Sequence, residues 1–182
     1  TADGSDFSKE TGIAKDWSMS PDGKVWTIQI RHGIQFHRSF GELTAEDVKF
    51  SLDRLSSERS VAQEKAYFKT KIEKIEVVDP DSCKGIWKTP SPDFLTIVSP
   101  LRGSTERFIV SKKAAESLGD EFSRKPVGSG LFEFVGQIGG QSMEFKAVAN
   151  HWRVGAPRFA TLKFLAIPEE ETSIAMLLRG DV

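Results

Sequence analysis

The chain is 182 residues long, 38% hydrophobic and 10% aromatic, which suffices for one ordinary globular domain with a core and excludes a disordered chain. Its 25 basic residues stand against 26 acidic ones, and the formal net charge of -1 gives no indication of the basic surface a nucleic-acid backbone or an anionic membrane requires. The apolar runs are broken by Lys, Glu or Gly well below the ~20 residues of a membrane-spanning helix, and the lone Cys83 cannot form an internal disulfide.

Trp17 and Met19 alternate with Asp16 and Ser18 and lead into Ser20-Pro21-Asp22-Gly23, where Pro and Gly suit a tight turn. The strand that follows, "VWTIQIR", sets Trp26, Ile28 and Ile30 on one face against Thr27, Gln29 and Arg31, so a hairpin with one buried face is predicted. After the loop "GIQFHRSFGEL", Thr44 is placed to cap a helix with Asp47 at the third position, and Val48, Leu52 and Leu55 follow one helical face. A second hairpin is read at "KIEKIEVVD" and "SCKGIWK" about Asp79-Pro80-Asp81, with Ile75 and Val77 sharing a face, as do Cys83, Gly85 and Trp87.

Ser91-Pro92-Asp93 starts a helix, with Pro at its first position. "SKKAAESLGD" is another, closed by Gly119. "LFEFVGQ" and "SMEFKAVA" flank Ile138-Gly139-Gly140 as a third hairpin. The chain finishes with the strand "TLKFLAI" and the helix "EEETSIAMLLRG", whose Ile174, Leu177 and Leu178 lie on one face. Strands in hairpin pairs separated by helices indicate a mixed α/β or α+β fold rather than a doubly wound parallel sheet.

Few residues suggest chemistry. His32, His37 and His151 lack any metal-ligand spacing and are expected to serve loop backbone. No serine lies in a G-x-S-x-G setting, and "GSG" at 128–130 lacks the later glycine of a nucleotide fingerprint. Glu169 to Glu171 fit the start of a helix, where negative charge complements the macrodipole, better than an acid and base pair. Cys83 is expected as a buried small apolar residue. Phe36, Phe40, Tyr67 and Phe68 lie in or beside loops, where an aromatic either lines a cleft or packs in the core. There is no starting Met and no charged-then-apolar leader, so a signal peptide is expected to be absent, removed or outside this chain.

Five ordered blocks carry a resemblance: "AKDWSMSPDGKVWTIQIRHGIQFH", "LTAEDVKFSLDRL", "IEKIEVVDPDS", "IVSKKAAESLGDEFSRKPVGSGLFEF" and "NHWRVGAPRFATLKFLAIPEEETSIAMLLRGDV". Together, from about Ile13 to Val182, they resemble the first half of the family 5 extracellular solute-binding proteins of bacterial ABC importers. The chain departs from the family where His37-Arg38-Ser39-Phe40-Gly41-Glu42 replaces a shorter "HDG" loop, and where Gly85 replaces an apolar strand residue, which should weaken the strand or admit a neighbour closely.

The resemblance implies a two-lobed fold of the periplasmic-binding-protein kind, of which residues 1–182 are one incomplete domain, part of lobe one without the second lobe or the C-terminal return. It implies capture of a small solute, with peptides the first choice, delivery to a membrane permease, no covalent chemistry, no cofactor and an extracytoplasmic location. Membrane association is implied only through the permease or a lipid anchor outside this chain. Tyr67 or Phe68 is implied to flank the ligand and Arg102 to meet a ligand carboxylate, for which a planar guanidinium is suited. The alternatives are an oligosaccharide, opine or nickel chelate as solute, or a ligand-sensing domain of a regulator.

Overall fold

The computed structural model describes residues 9–63, 65–98, 108–153, 155 and 157–182. They form two compact units, one of Thr1–Phe122 with Val127–Ser129 and one of Ser123–Pro126 with Gly130–Val182.

In the first unit β1 (Ala14–Met19), β2 (Val25–Ile30), β3 (Ile72–Asp79) and β4 (Ser82–Trp87) make an antiparallel sheet in the order β1-β2-β4-β3. The predicted turn between β1 and β2 forms because Gly23 takes the left-handed φ of 70° and donates its N–H to Ser20 O at 2.9 Å. The register places Trp26 opposite Gly85 and Gly85 opposite Ile75, with Ile28, Cys83 and Val77 in the next row. Directly opposed residues share a face, so the alternation read in each strand becomes one apolar surface across the sheet. Trp26, Trp87 and Phe94 form its core cluster, packed about by Trp17, Ile28, Ile72, Leu95 and Val98.

Four α-helices lie among the described residues of this unit: α1 (Ala45–Ser56), α2 (Lys65–Lys71), α3 (Phe94–Val98) and α4 (Lys112–Leu118). α1 packs on β3, β4, α2 and α4. Its start is fixed by a capping box: Asp47 Oδ2 accepts from the Thr44 N–H at 3.0 Å and from the Thr44 hydroxyl at 3.1 Å. The β3–β4 turn anchors the same end, since Ala45 N–H donates to Pro80 O at 2.7 Å. Ser111 caps α4 by accepting from the Ala114 N–H at 3.1 Å, and Gly119 closes it at a φ of 54°.

The loop after β2 carries its own strain. Arg38 and Ser39 both have a φ of 57°, a conformation that costs a non-glycine residue about 1–2 kcal/mol. They are held there by Phe36 N–H to Gly41 O at 2.8 Å and His37 N–H to Gly128 O at 2.8 Å.

In the second unit β5 (Phe132–Ile138), β6 (Ser142–Ala147) and β7 (Thr161–Leu165) form an antiparallel sheet in chain order, followed by α5 (Glu170–Arg179). Phe134 pairs with Phe145 and Phe145 with Leu162, and Phe145 meets Phe164 edge to face at 5.8 Å. One side of this sheet is therefore aromatic. Among the described residues of the unit only His151 is buried, and Ile174, Leu177 and Leu178 of α5 are exposed.

Candidate ligand-binding site

α2 is a short helix packed on α1 and β3, and it brings the two candidate aromatics to neighbouring positions with different surroundings. Phe68 is 1% exposed and belongs to the core, whereas the Tyr67 ring is half-buried and stands edge to face on Phe68 at 5.6 Å. The Tyr67 hydroxyl is turned inward and has no hydrogen-bond partner, and the same is true of Trp87 Nε1. Burial raises the Tyr67 pKa, Ser91 and Trp87 oppose that rise, and the charge of Asp93 adds to it, so the phenol stays protonated at neutral pH. Arg102 lies outside the described residues.

Trp87 reaches this place because Gly85 lets it. A Cβ at Gly85 would run into the ring carbons Cη2 and Cζ3 of Trp87 and sit 3.4 Å from Ile75 Cδ1. The glycine anticipated to admit a close neighbour thus makes room for an indole on its own strand. The indole then meets Phe94 at 4.5 Å between ring centroids, while the Trp26 indole N–H donates to Ser91 O at 2.9 Å. The influence of Trp87, Ser91 and Asp93 on Tyr67 was not legible: the sequence presents them as a strand end and a helix start, and α2 reaches that part of the fold through its packing on β3, the strand paired with β4.

The other groups singled out in the sequence do structural work. Glu169 is the N-cap residue of α5, and Glu170 and Glu171 sit in its first turn. His32 Nε2 pairs with Asp81 at 3.1 Å, and His151 Nδ1 accepts from the Arg153 N–H at 3.3 Å. His37 is buried, with its N–H on Gly128 O. Burial raises the Cys83 thiol to about 11, which keeps it protonated and unreactive. Among the described residues no group of His, Cys, Asp or Glu is placed to hold a metal ion, and no helix is long and apolar enough to cross a membrane.

This arrangement of sheets and helices is that of the periplasmic binding proteins. A mannopinic-acid complex of the binding protein MoaA from A. tumefacien R10 matches with a TM-score of 0.85 and 29% identity over 94% of this chain and 34% of that one. DppA from Helicobacter pylori, an ABC transporter-associated periplasmic binding protein in complex with the peptide STSA, matches with a TM-score of 0.80 and 26% identity over 95% of this chain and 37% of that one.

Within that class the chain belongs to the bacterial extracellular solute-binding proteins, family 5, whose middle-region model matches residues 10–182. The glutathione-binding protein GsiB of Escherichia coli strain K12 is 28% identical over 169 residues, 93% of this chain and 32% of that protein. The chain spans about a third of the length of the curated relatives it matches.

Proposed function

We propose that the chain is part of lobe one of the extracytoplasmic solute-binding component of an ABC importer, which captures peptides between two lobes and delivers them to a membrane permease. The observation that carries this reading is the family match over residues 10–182. Peptide is favoured as cargo because DppA was solved with the peptide STSA, and because glutathione, named for GsiB, is itself a tripeptide. Tyr67, backed by Phe68, flanks the solute, and Arg102 meets its carboxylate. The remaining contacts come from a second lobe, and closure is driven by the solute touching both. The protein does no covalent chemistry on its cargo and reaches the membrane through its permease or through a lipid anchor.

An opine is the second reading, favoured by the mannopinic-acid complex among the matching structures. Thermal unfolding of the intact protein separates the two. A solute at 100 times its Kd adds about 2.7 kcal/mol of stability. A pool of short peptides is expected to raise Tm, and a rise with mannopinic acid but none with peptides overturns the peptide assignment.

A further inference from the structure

Among the described residues β1 is an edge strand that pairs with β2 alone, in the order β1-β2-β4-β3. Bonded and non-bonded pairs alternate along an antiparallel ladder. Ser20 N–H donates to Val25 O at 2.8 Å, so Ser18 and Thr27 make the next bonded pair, and the backbone polar groups of Trp17 and Met19 point away from β2. A row of such groups is a template on which another strand can add.

The segment before β1 meets this edge. Trp17 N–H donates to Asp16 Oδ1 at 2.9 Å, so the neighbouring carboxylate takes a donor that an added strand would use. Lys9 Nζ pairs with that same oxygen and stands 5.3 Å from the centroid of the Trp17 ring. The side chains of Asp16 and Trp17 leave opposite faces of the sheet. An ammonium that reaches both therefore lies along the open side of the strand, between the faces.

Arg31, directly after β2, holds Lys9 there. Its Nη2 donates to Lys9 O at 2.6 Å and to Glu10 O at 3.2 Å, its Nε to Gly12 O at 3.4 Å, and its backbone N–H to Ile13 O at 2.9 Å. The guanidinium fork fastens residues 9–12 as a strap, a task for which the single ammonium of lysine is unsuited. The Lys9 and Asp16 side chains are both more than half exposed, where an ion pair adds little to stability. Access to the edge is what the pair changes.

We infer that Lys9, Asp16 and Arg31 form an edge guard, a strap across the open side of β1 that keeps the same strand of a second copy of this chain from pairing there. A second copy is the partner guarded against because two antiparallel edges of one sequence are self-complementary about a two-fold axis. Lysine and other charged side chains on an edge are the means by which natural sheets prevent such pairing. The guard does not depend on the cargo, so failure of peptides to bind leaves it standing.

The test is sedimentation velocity of the intact protein at rising concentration, joined to amide hydrogen exchange at Trp17. Asp16→Ala removes the cap at an exposed position and should speed exchange of the Trp17 amide about tenfold. The same variant is expected to self-associate where the unsubstituted protein does not, and Arg31→Ala should act in the same direction. Met19→Pro, at a position whose N–H points away from β2, blocks strand addition and should return the Asp16→Ala protein to the monomer. An unchanged thermal midpoint keeps misfolding apart from unguarding. The inference is overturned by an Asp16→Ala protein that associates no more than the unsubstituted one, by association that survives Met19→Pro, or by a Trp17 amide that exchanges equally fast with and without Asp16.

Discussion

Asp47 and Lys112, 65 positions apart, are joined by a single bond: Oδ1 of the buried carboxylate accepts the backbone N–H of Lys112 at 2.8 Å. Its other oxygen holds the N–H of Thr44, so one side chain ties together the first turns of α1 and α4. Ser51 strengthens the same junction by accepting from the Val110 N–H at 3.0 Å.

Asp47→Ala should therefore lower stability by about 2–4 kcal/mol, since it leaves two helix-terminal N–H groups without their charged acceptor. Asp47→Asn keeps one acceptor oxygen and should cost less than the alanine variant. Urea unfolding measures both. A loss below about 0.5 kcal/mol for the alanine variant would show that water replaces the carboxylate at both ends.

Gly85→Ala is expected to cost about 1–3 kcal/mol, because the added methyl group must displace the Trp87 ring. Replacing Trp87 by Leu in the same chain should recover part of that loss. A double-mutant cycle reads the coupling directly, and an energy near zero would mean that the two positions do not share the space assigned to them.

Cys83 supplies a pH dependence. Its folded pKa of about 11 lies above the ordinary thiol value of 9.0, so the stability from keeping the thiol neutral is complete below about 9 and is lost as pH rises towards 11. At 1.36 kcal/mol per unit this amounts to about 3 kcal/mol. Cys83→Ala should flatten that part of the stability profile. At pH 8 the native thiol should react with iodoacetamide about 100-fold more slowly than in urea, and equal rates would place it at the surface.

Arg102→Ala should weaken capture of a peptide by about 10- to 100-fold, the cost of losing one charge-assisted contact to a carboxylate. Esterifying the peptide's C-terminus should weaken binding to the unsubstituted protein and leave the variant unaffected. Calorimetric titration of the intact protein checks both, and equal affinities for acid and ester would remove Arg102 from the site.

The alternation of Trp26, Ile28 and Ile30 and the turns at Ser20 to Gly23, Asp79 to Asp81 and Ile138 to Gly140 made each hairpin legible, because neighbouring strands are specified by residues close in sequence. The pairing of β2 with β4 was not, since period-2 patterning says which face of a strand is buried but not which strand lies beside it. The left-handed pair Arg38 and Ser39 escaped for a similar reason: neither is a glycine, and the bonds that hold them run to Gly41 and Gly128. Tyr67 could be singled out as an aromatic beside a loop, but the inward turn of its hydroxyl is a matter of tertiary packing, as is the seat of Trp87 over the missing side chain at Gly85.

The measurement that bears most directly on solute capture is native mass spectrometry of the intact protein, gently purified from its own host. The account predicts a ladder of masses above the protein, spaced as short peptides and removed by partial unfolding. A single opine, sugar or metal-chelate mass in place of the ladder would contradict the peptide assignment, and a protein that carries no solute and takes up none from a peptide pool would contradict the capture of peptides altogether.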